Sequence, residues 1–582
     1  AGLVSMGGGS SVQKKTAPIS KGSSGVVTPS DEANSVCEFD VGLPPVQNVS
    51  AWLGFSPPRG SQVHAALHKH FPGSIAGQVV LKRVISALRP YGLNPDNAFY
   101  GQSICPDEIN NEKGDLGNMM QDYWGECFPL GGIGGAPYVG ASGFKSFSRH
   151  VPENGHVLVM FGPHVAISAD GELGKYQLIG QGRQTPACGA VLSAYNSCKA
   201  GKVNGEDPLD MQQKWLTQRV NKDFNKIKAA EEPLRALFYT AYEGVKEKLL
   251  AIVNHDFGDG NLVLLGGILI NMPRPYEDHF CPLMFQISAA GTPPDDLMSA
   301  FSYKAPITST PLPNKASIAA LKQSNQVFAW LDMAPAPESP CFISLHEHFP
   351  GCVPGQVILQ RLVQALRRFN VTPQNTIFGH SICPDEINNA KDGLAYTMRE
   401  HWGSCFPMGG IGGAPFVGKS GFASFTSHVP DTGNVLILFG PHVAISEAGE
   451  LGKYQRFGQA APTTACCAIL DALRAANQEI EPYNDEEDDM QEVWLFRHVA
   501  QQIDKIREAD SPVAAVTLEA YEAIKKQMLG IINNDFSTGH LILIGGIQIN
   551  MPAPFEDEFQ PLLFQVSNKN QTFHLLEHLV VK

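Results

Sequence analysis

The chain has 582 residues, of which 43% are apolar and 17% charged, and its formal net charge is −14. That balance excludes a disordered or highly charged protein and provides enough apolar surface for several cores. A net acidic chain without a long basic run argues against nucleic acid or anionic membrane as a partner. The longest apolar stretch, 262–270, is far short of the roughly 20 residues that span a bilayer, so no membrane span is expected.

Residues 1–47 are rich in Gly, Ser, Lys and Thr without apolar periodicity and read as a flexible arm. The start at Ala1 suggests a removed targeting segment. A first unit spans 48–289. Within it, apolar residues recur at helical spacing over 77–89, and 156–167 reads as strand running into a Gly-Pro-His turn. Long amphipathic helices follow over 211–254, interrupted at Pro233, and 261–271 reads as a buried strand. A Pro- and Ser-containing linker covers 290–325.

The same series then returns over 326–567, followed by a tail, 568–582. FYGQSICP at 99–106 becomes IFGHSICP at 377–384, and both continue as DEINN. GGIGGAP stands at 131–137 and 409–415, and FGPHVAIS at 161–168 and 439–446. The offset is 278, rising to 279 by Met211/Met490. The six tryptophans form the pairs Trp52/Trp330, Trp124/Trp402 and Trp215/Trp494. Copies of about 240 residues are domain-sized and too long for solenoid units. The chain therefore reads as two homologous α/β domains fused head to tail, each with a largely parallel sheet flanked by helices. The acidic run 485–489 reads as a solvated loop.

The twelve cysteines contain no CxxC, which excludes a zinc ribbon or thioredoxin motif. Six of them pair across the repeat: Cys105/Cys383, Cys127/Cys405 and Cys188/Cys466. So do His68/His346, His70/His348, His150/His428 and His164/His442. Cys105, His164 and Cys188 keep spacings of 59 and 24 in both copies. Two thiolates and an imidazole form a donor set suited to zinc, with a fourth position left open. Buried structural cysteines and redox chemistry are the alternatives.

Asp107 and Asp385 follow the first cysteine by two residues, where a carboxylate orients a zinc-bound water or closes the site. His150 and His428 read as loop residues, either structural or proton-relaying. Cys127 and Cys405 read as core, and His68/His346 and His70/His348 as helix-end or core histidines. A P-loop match at 413–420 fails, because its lysine is Ala141 in copy one and Pro415 sits in the cradle. GGIGGAP is expected to allow close backbone approach or to supply amides near the site.

The ordered series SICPDEIN, PMGGIGGAPF, HVPD, FGPHVAIS and ACCA resembles the limiting-CO2-inducible protein B/C family, a theta-type carbonic anhydrase allied to the beta class. The resemblance runs in both copies from His70 or His348 to Cys188 or Cys466. It implies a beta-carbonic-anhydrase-like pseudo-dimer, open to further homo-oligomerisation, with one Zn2+ per repeat. Cys105, His164 and Cys188 would hold one ion, and Cys383, His442 and Cys466 the other. Asp107 and Asp385 would be the catalytic carboxylates of Asp–Arg dyads.

The implied reaction is reversible hydration of CO2 to bicarbonate by a zinc-bound hydroxide, with an apolar wall from Phe161 or Ile104. The implied setting is CO2 concentration in an algal plastid: chloroplast stroma, pyrenoid or thylakoid lumen. The beta-class pattern Cys-x-Asp-x-Arg would need Arg at 109 and 387, and both are Ile. Arg83/Arg361 and Arg89/Arg367 are retained in both copies, whereas Arg399 is Gln121 in copy one. A rival reading is a silent zinc protein, closed by its aspartate, that binds bicarbonate or scaffolds a CO2-concentrating assembly.

Overall fold

Each repeat is organised around one apolar strand. The computed structural model describes residues 56–112, 115–178, 181–203, 207–302, 334–390, 393–456, 459–480 and 489–580. In it Leu262–Asn271 is buried at every position, as is its counterpart Leu541–Asn550. A strand buried on both faces needs helices on both sides of its sheet. Leu262–Asn271 pairs in parallel with His156–Gly162, which continues in parallel to Ala98–Ile104 and then Cys127–Pro129. The second repeat repeats this order.

The expected parallel character holds for these strands. The other edge is antiparallel, because His279–Ser288 follows Leu262–Asn271 after a connection too short for a crossover. The strand expected over 156–167 breaks at Pro163, and His164–Ala166 re-pairs further along Leu262–Asn271. Gly162 has φ +147°, and a Cβ there would lie 1.7 Å from the Gly267 carbonyl oxygen. Only glycine fits this close approach.

Gly77–Leu88 packs Val80, Leu81, Val84, Ile85 and Leu88 on one sheet face. Gly189–Lys199, Met211–Lys222 and Pro233–Ile252 cover the other, with Pro233 in the first turn of its helix. The layer carrying these three helices is continuous with its counterpart in the second repeat. Ile133 lies over Gly421, and Ile411 lies over Gly143. Asp489 Oδ1 accepts from the Ser142 amide and Asp210 Oδ1 from the Ser420 amide, both at 2.9 Å. Such reciprocal contacts are the signature of a two-fold interface, here within one chain.

The repeats also run past 289 and 567. Asp295–Asp296 and Thr572–His574 add to the sheets, and Phe301 and Leu579 are buried against them. The arm 1–47, the linker stretch 303–325, Trp52, Trp330 and residues 485–488 lie outside the described residues. Among the described residues, no helix is long and apolar enough to cross a membrane.

At the seam Glu492 is buried where repeat one has Gln213. Burial, then the charges of Asp471 and Asp489, lift its pKa to about 8 against the pull of Arg149. Above its ordinary pKa the unfolded chain has already released this proton, so stability falls as pH rises from about 4.5 to about 8. Glu492→Gln should raise the melting temperature by at least about 2 °C at pH 9 and leave it nearly unchanged at pH 4, measured by scanning calorimetry.

Candidate metal centres

Three chain segments converge at the end of each parallel sheet. Cys105 follows strand Ala98–Ile104, His164 opens the strand after Pro163, and Cys188 is the N-cap of Gly189–Lys199. All three are buried, and the Cys105 and Cys188 sulfurs are 3.5 Å apart. One donor atom from each lies within 4.8 Å of the other two, and Cys383, His442 and Cys466 repeat the arrangement. The peptide bond before Cys188 and before Cys466 is cis.

The glycine-rich loop supplies the expected amide. Gly134 N–H donates to Cys105 Sγ at 3.3 Å and Gly412 N–H to Cys383 Sγ at 3.4 Å. Gly134 holds φ +72° to aim it. His164 Nδ1 donates to Asn271 Oδ1 at 2.7 Å, and His442 Nδ1 to Asn550 Oδ1 at 2.8 Å. Each asparagine is fixed in turn, Asn271 by Asn110 and Asp278, Asn550 by Asn388 and Asp557. This sets the tautomer and turns Nε2 toward the sulfurs.

The residues fit zinc. A tetrahedral ion with Zn–S of about 2.3 Å separates its sulfurs by about 3.8 Å, close to the observed spacing. His164 Nε2, His442 Nε2 and Asp107 Oδ2 are buried without a hydrogen-bond partner among the described residues, as unfilled ligand atoms would be. Burial opposes charge on both His164 and Cys188. The Cys188 and Asp107 charges nevertheless lift His164 to about 9, and the Cys105 hydrogen bond and His164 hold the Cys188 thiol well below its ordinary value. Burial likewise opposes charge on His442, which Cys466 and Asp385 lift to about 9.

The carboxylates beside the two donor sets differ. Asp107 Oδ2 lies 3.4 Å from His164 Nε2, and Asp385 Oδ2 lies 3.7 Å from His442 Nε2. Arg456 Nη2 donates to both Asp385 oxygens at 2.9 and 2.8 Å, and Arg456 Nε donates to Glu386 at 2.8 Å. Repeat one has Leu178 at this position. Burial raises the carboxyl pKa at both sites. At Asp385 it is overcome, first by Arg456 and then by His150 and His442, and the pKa falls below the usual carboxylate range. At Asp107 His428 and His164 do not overcome it, and the carboxyl stays above its ordinary value.

Each site also takes a histidine from the other repeat. His428 Nδ1 lies 2.6 Å from Glu108 Oε1, and His150 Nδ1 lies 2.7 Å from Glu386 Oε2. Burial, and for His150 also Arg456, opposes their protonation. Glu386 and Asp385 outweigh this and lift His150 to about 10, and Glu108 and Asp107 lift His428 to about 9. These histidines are therefore buried interface residues, not members of an open loop.

The structure gathers the eight expected residues into two groups of four. Phe161 stacks on Tyr242, and Ile104 packs over Gly117. Separate small apolar clusters form from the segments around the ligands: Ile109, Ala166, Tyr176 and Ala187 in one repeat, Ile387, Ala444 and Ala465 in the other. Arg83 and Arg361 donate instead to the carbonyls of Phe301 and Leu579 at 2.6 Å. Cys127 and Cys405 are buried strand residues, as expected. Sequence reasoning missed Arg456, the carboxylates Glu108 and Glu386, and the histidine-orienting Asn271 and Asn550. The mismatch of KYQL with KYQR at 175–178 and 453–456 was the available signal for Arg456.

A family model described as limiting CO2-inducible proteins B/C beta carbonic anhydrases matches residues 74–289 and 352–568. Solved structures resemble the chain as well. The crystal structure of PtLCIB4, a homolog of the limiting CO2-inducible protein LCIB, is 26% identical. It covers 40% of this chain and 98% of its own, with TM-score 0.38. That of LCIB itself is 20% identical and covers 40% and 96%, with TM-score 0.31. No curated protein matches the chain.

Releasing the histidine from its orienting amide should weaken the metal site without removing a donor. Asn550→Ala is expected to lower the affinity of the second site for zinc by about 10–100-fold, measured by competition with a chelating dye.

Proposed function

The chain belongs to the family of limiting CO2-inducible proteins B/C, beta carbonic anhydrases, and from that premise we propose that it reversibly hydrates CO2 to bicarbonate with zinc as cofactor. The observation that carries this reading is a buried donor set of two cysteines and a histidine with a carboxylate beside it that is tied to a guanidinium. Cys383, His442 and Cys466 would hold the ion in repeat two, and Cys105, His164 and Cys188 in repeat one. Zinc in such a set supplies a nucleophile at neutral pH by acidifying water.

The chain's own residues then position that chemistry. Asp385 stays ionised against Arg456, so it accepts a hydrogen bond and donates none. A water proton engaged by Asp385 leaves the oxygen lone pair directed at substrate. Ile387, Ala444 and Ala465, on the segments that carry the three donors, form a small buried apolar cluster, which suits apolar CO2. His150 holds Glu386, and Glu386 accepts from Arg456, so the dyad is braced from the other repeat. The relatives are named for induction at limiting CO2, which supports a role in inorganic-carbon supply and, with it, a plastid setting.

Asp107, whose Oδ2 accepts no hydrogen bond among the described residues, favours a second reading, in which the sites are closed and the protein binds bicarbonate or scaffolds an assembly. Stopped-flow CO2 hydration with zinc content assayed on the same sample separates the two. The expected result is two zinc ions per chain and hydration that is lost in the Cys105→Ser, Cys383→Ser double variant. Two zinc ions without hydration would favour the closed reading.

A further inference from the structure

We infer that the two repeats have divided the work: repeat two carries the open, hydrating site, and in repeat one Asp107 closes the site as fourth ligand. This rests on the zinc reading above. Arg456 is the positioning residue that makes the difference, because it occupies both Asp385 oxygens and keeps that carboxylate from the ligand position. Asp107 has no such partner among the described residues. Its Oδ2 is buried, unbonded and 3.4 Å from the ligand nitrogen of His164.

The divergence is concerted. In repeat two a closed ring of polar contacts surrounds the dyad. Arg456 Nη1 donates to Thr463 Oγ1 at 2.6 Å and to the Thr464 carbonyl at 3.5 Å. Thr464 Oγ1 donates to Cys467 Sγ at 3.3 Å, which lies 3.6 Å from His150 Nε2. His150 Nδ1 meets Glu386, which returns to Arg456. Repeat one replaces three members of this ring, Arg456, Thr464 and Cys467, with Leu178, Pro186 and Gly189. None of these has a polar side chain. His428 Nε2, the counterpart of His150 Nε2, is buried without a hydrogen-bond partner among the described residues.

The remaining partners of Arg456 persist in repeat one. Asp107, Glu108, Thr185 and Tyr176 stand where Asp385, Glu386, Thr463 and Tyr454 stand, and Tyr454 places its ring 5.8 Å from the Arg456 guanidinium. Leu178 packs against the apolar cluster of Ile109, Ala166, Tyr176 and Ala187. One substitution, Leu178→Arg, would thus meet a ready set of acceptors.

The test loads full-length protein with Co2+ and reads its visible absorption as thiocyanate is added, alongside CO2 hydration. Cys383→Ser leaves a complete donor set only in repeat one, and Cys105→Ser only in repeat two. The bands of the Cys105→Ser protein should shift with thiocyanate and those of the Cys383→Ser protein should not, and only the former should hydrate CO2. Arg456→Leu, which keeps every donor, should retain its metal, lose the anion response and lose hydration on the order of 10²-fold. Arg456→Lys should recover part of both. Leu178→Arg in the Cys383→Ser chain should gain the anion response and at least about tenfold in hydration.

Equal anion responses from the two single-site proteins would overturn the inference. So would metal-loaded Leu178→Arg protein that ignores thiocyanate. Failure of both sites to take up metal would overturn this inference and the zinc reading together. An anion response confined to repeat two without hydration would uphold the asymmetry and overturn the hydration reading.

Discussion

The seam between the repeats is the constraint on which the rest depends. Glu108 meets His428 and Glu386 meets His150, each pair buried and each crossing from one repeat to the other. A buried carboxylate is costly unless an opposite charge faces it; Arg456 supplies one to Asp385 and Glu386 from their own repeat, whereas the Asp107-Glu108 step draws on His428 of the other. The continuous apolar layer across the seam, with Ile133 over Gly421 and Ile411 over Gly143, holds these pairs in register. Sites of this kind need two copies of the domain, and the chain provides both.

Covalent fusion has a consequence that a dimer of identical chains lacks. In an isologous homodimer every change falls on both sites. In a tandem chain the copies can change separately while the interface stays two-fold. The metal donors, the orienting asparagines and the glycine loop are kept in both repeats, whereas Arg456 and Leu178 differ. Repeat two therefore buries one more positive charge than repeat one against the same two carboxylates. Where the guanidinium is missing, Asp107 faces only the imidazoles of His164 and His428.

Much of this was legible in the sequence, for identifiable reasons. The two domains, the donor triplets and the aspartates are local in sequence or fixed by exact spacing, and duplication printed each twice. The buried strands stood out as apolar runs, and the Gly-Pro-His turn as a repeated glycine beside proline. Glu108 and Glu386 lay in the open inside DEINN, but nothing local says that their partner is a histidine more than 200 residues away. His150 and His428 were noticed, yet HVP reads as loop because burial by another domain leaves no periodicity. The sheet edge was hard to read because the strand at 279–288 carries a proline and mixed polarity.

Arg456 was missed for a more instructive reason. The search for the dyad's cation followed residues that both repeats share, and it looked near Cys-x-Asp-x-Arg, where both have isoleucine. The guanidinium instead arrives from a hairpin 71 residues after Asp385. Internal duplication shows a fold through what its copies share. It shows a division of labour through what they do not, and here the departures from Leu178, Pro186 and Gly189 to Arg456, Thr464 and Cys467 fall on one connected ring around one carboxylate. Unconnected drift would leave polar atoms stranded at buried positions such as 456 and 467. The ring leaves Arg456 and Cys467 bonded, which is what a working arrangement requires.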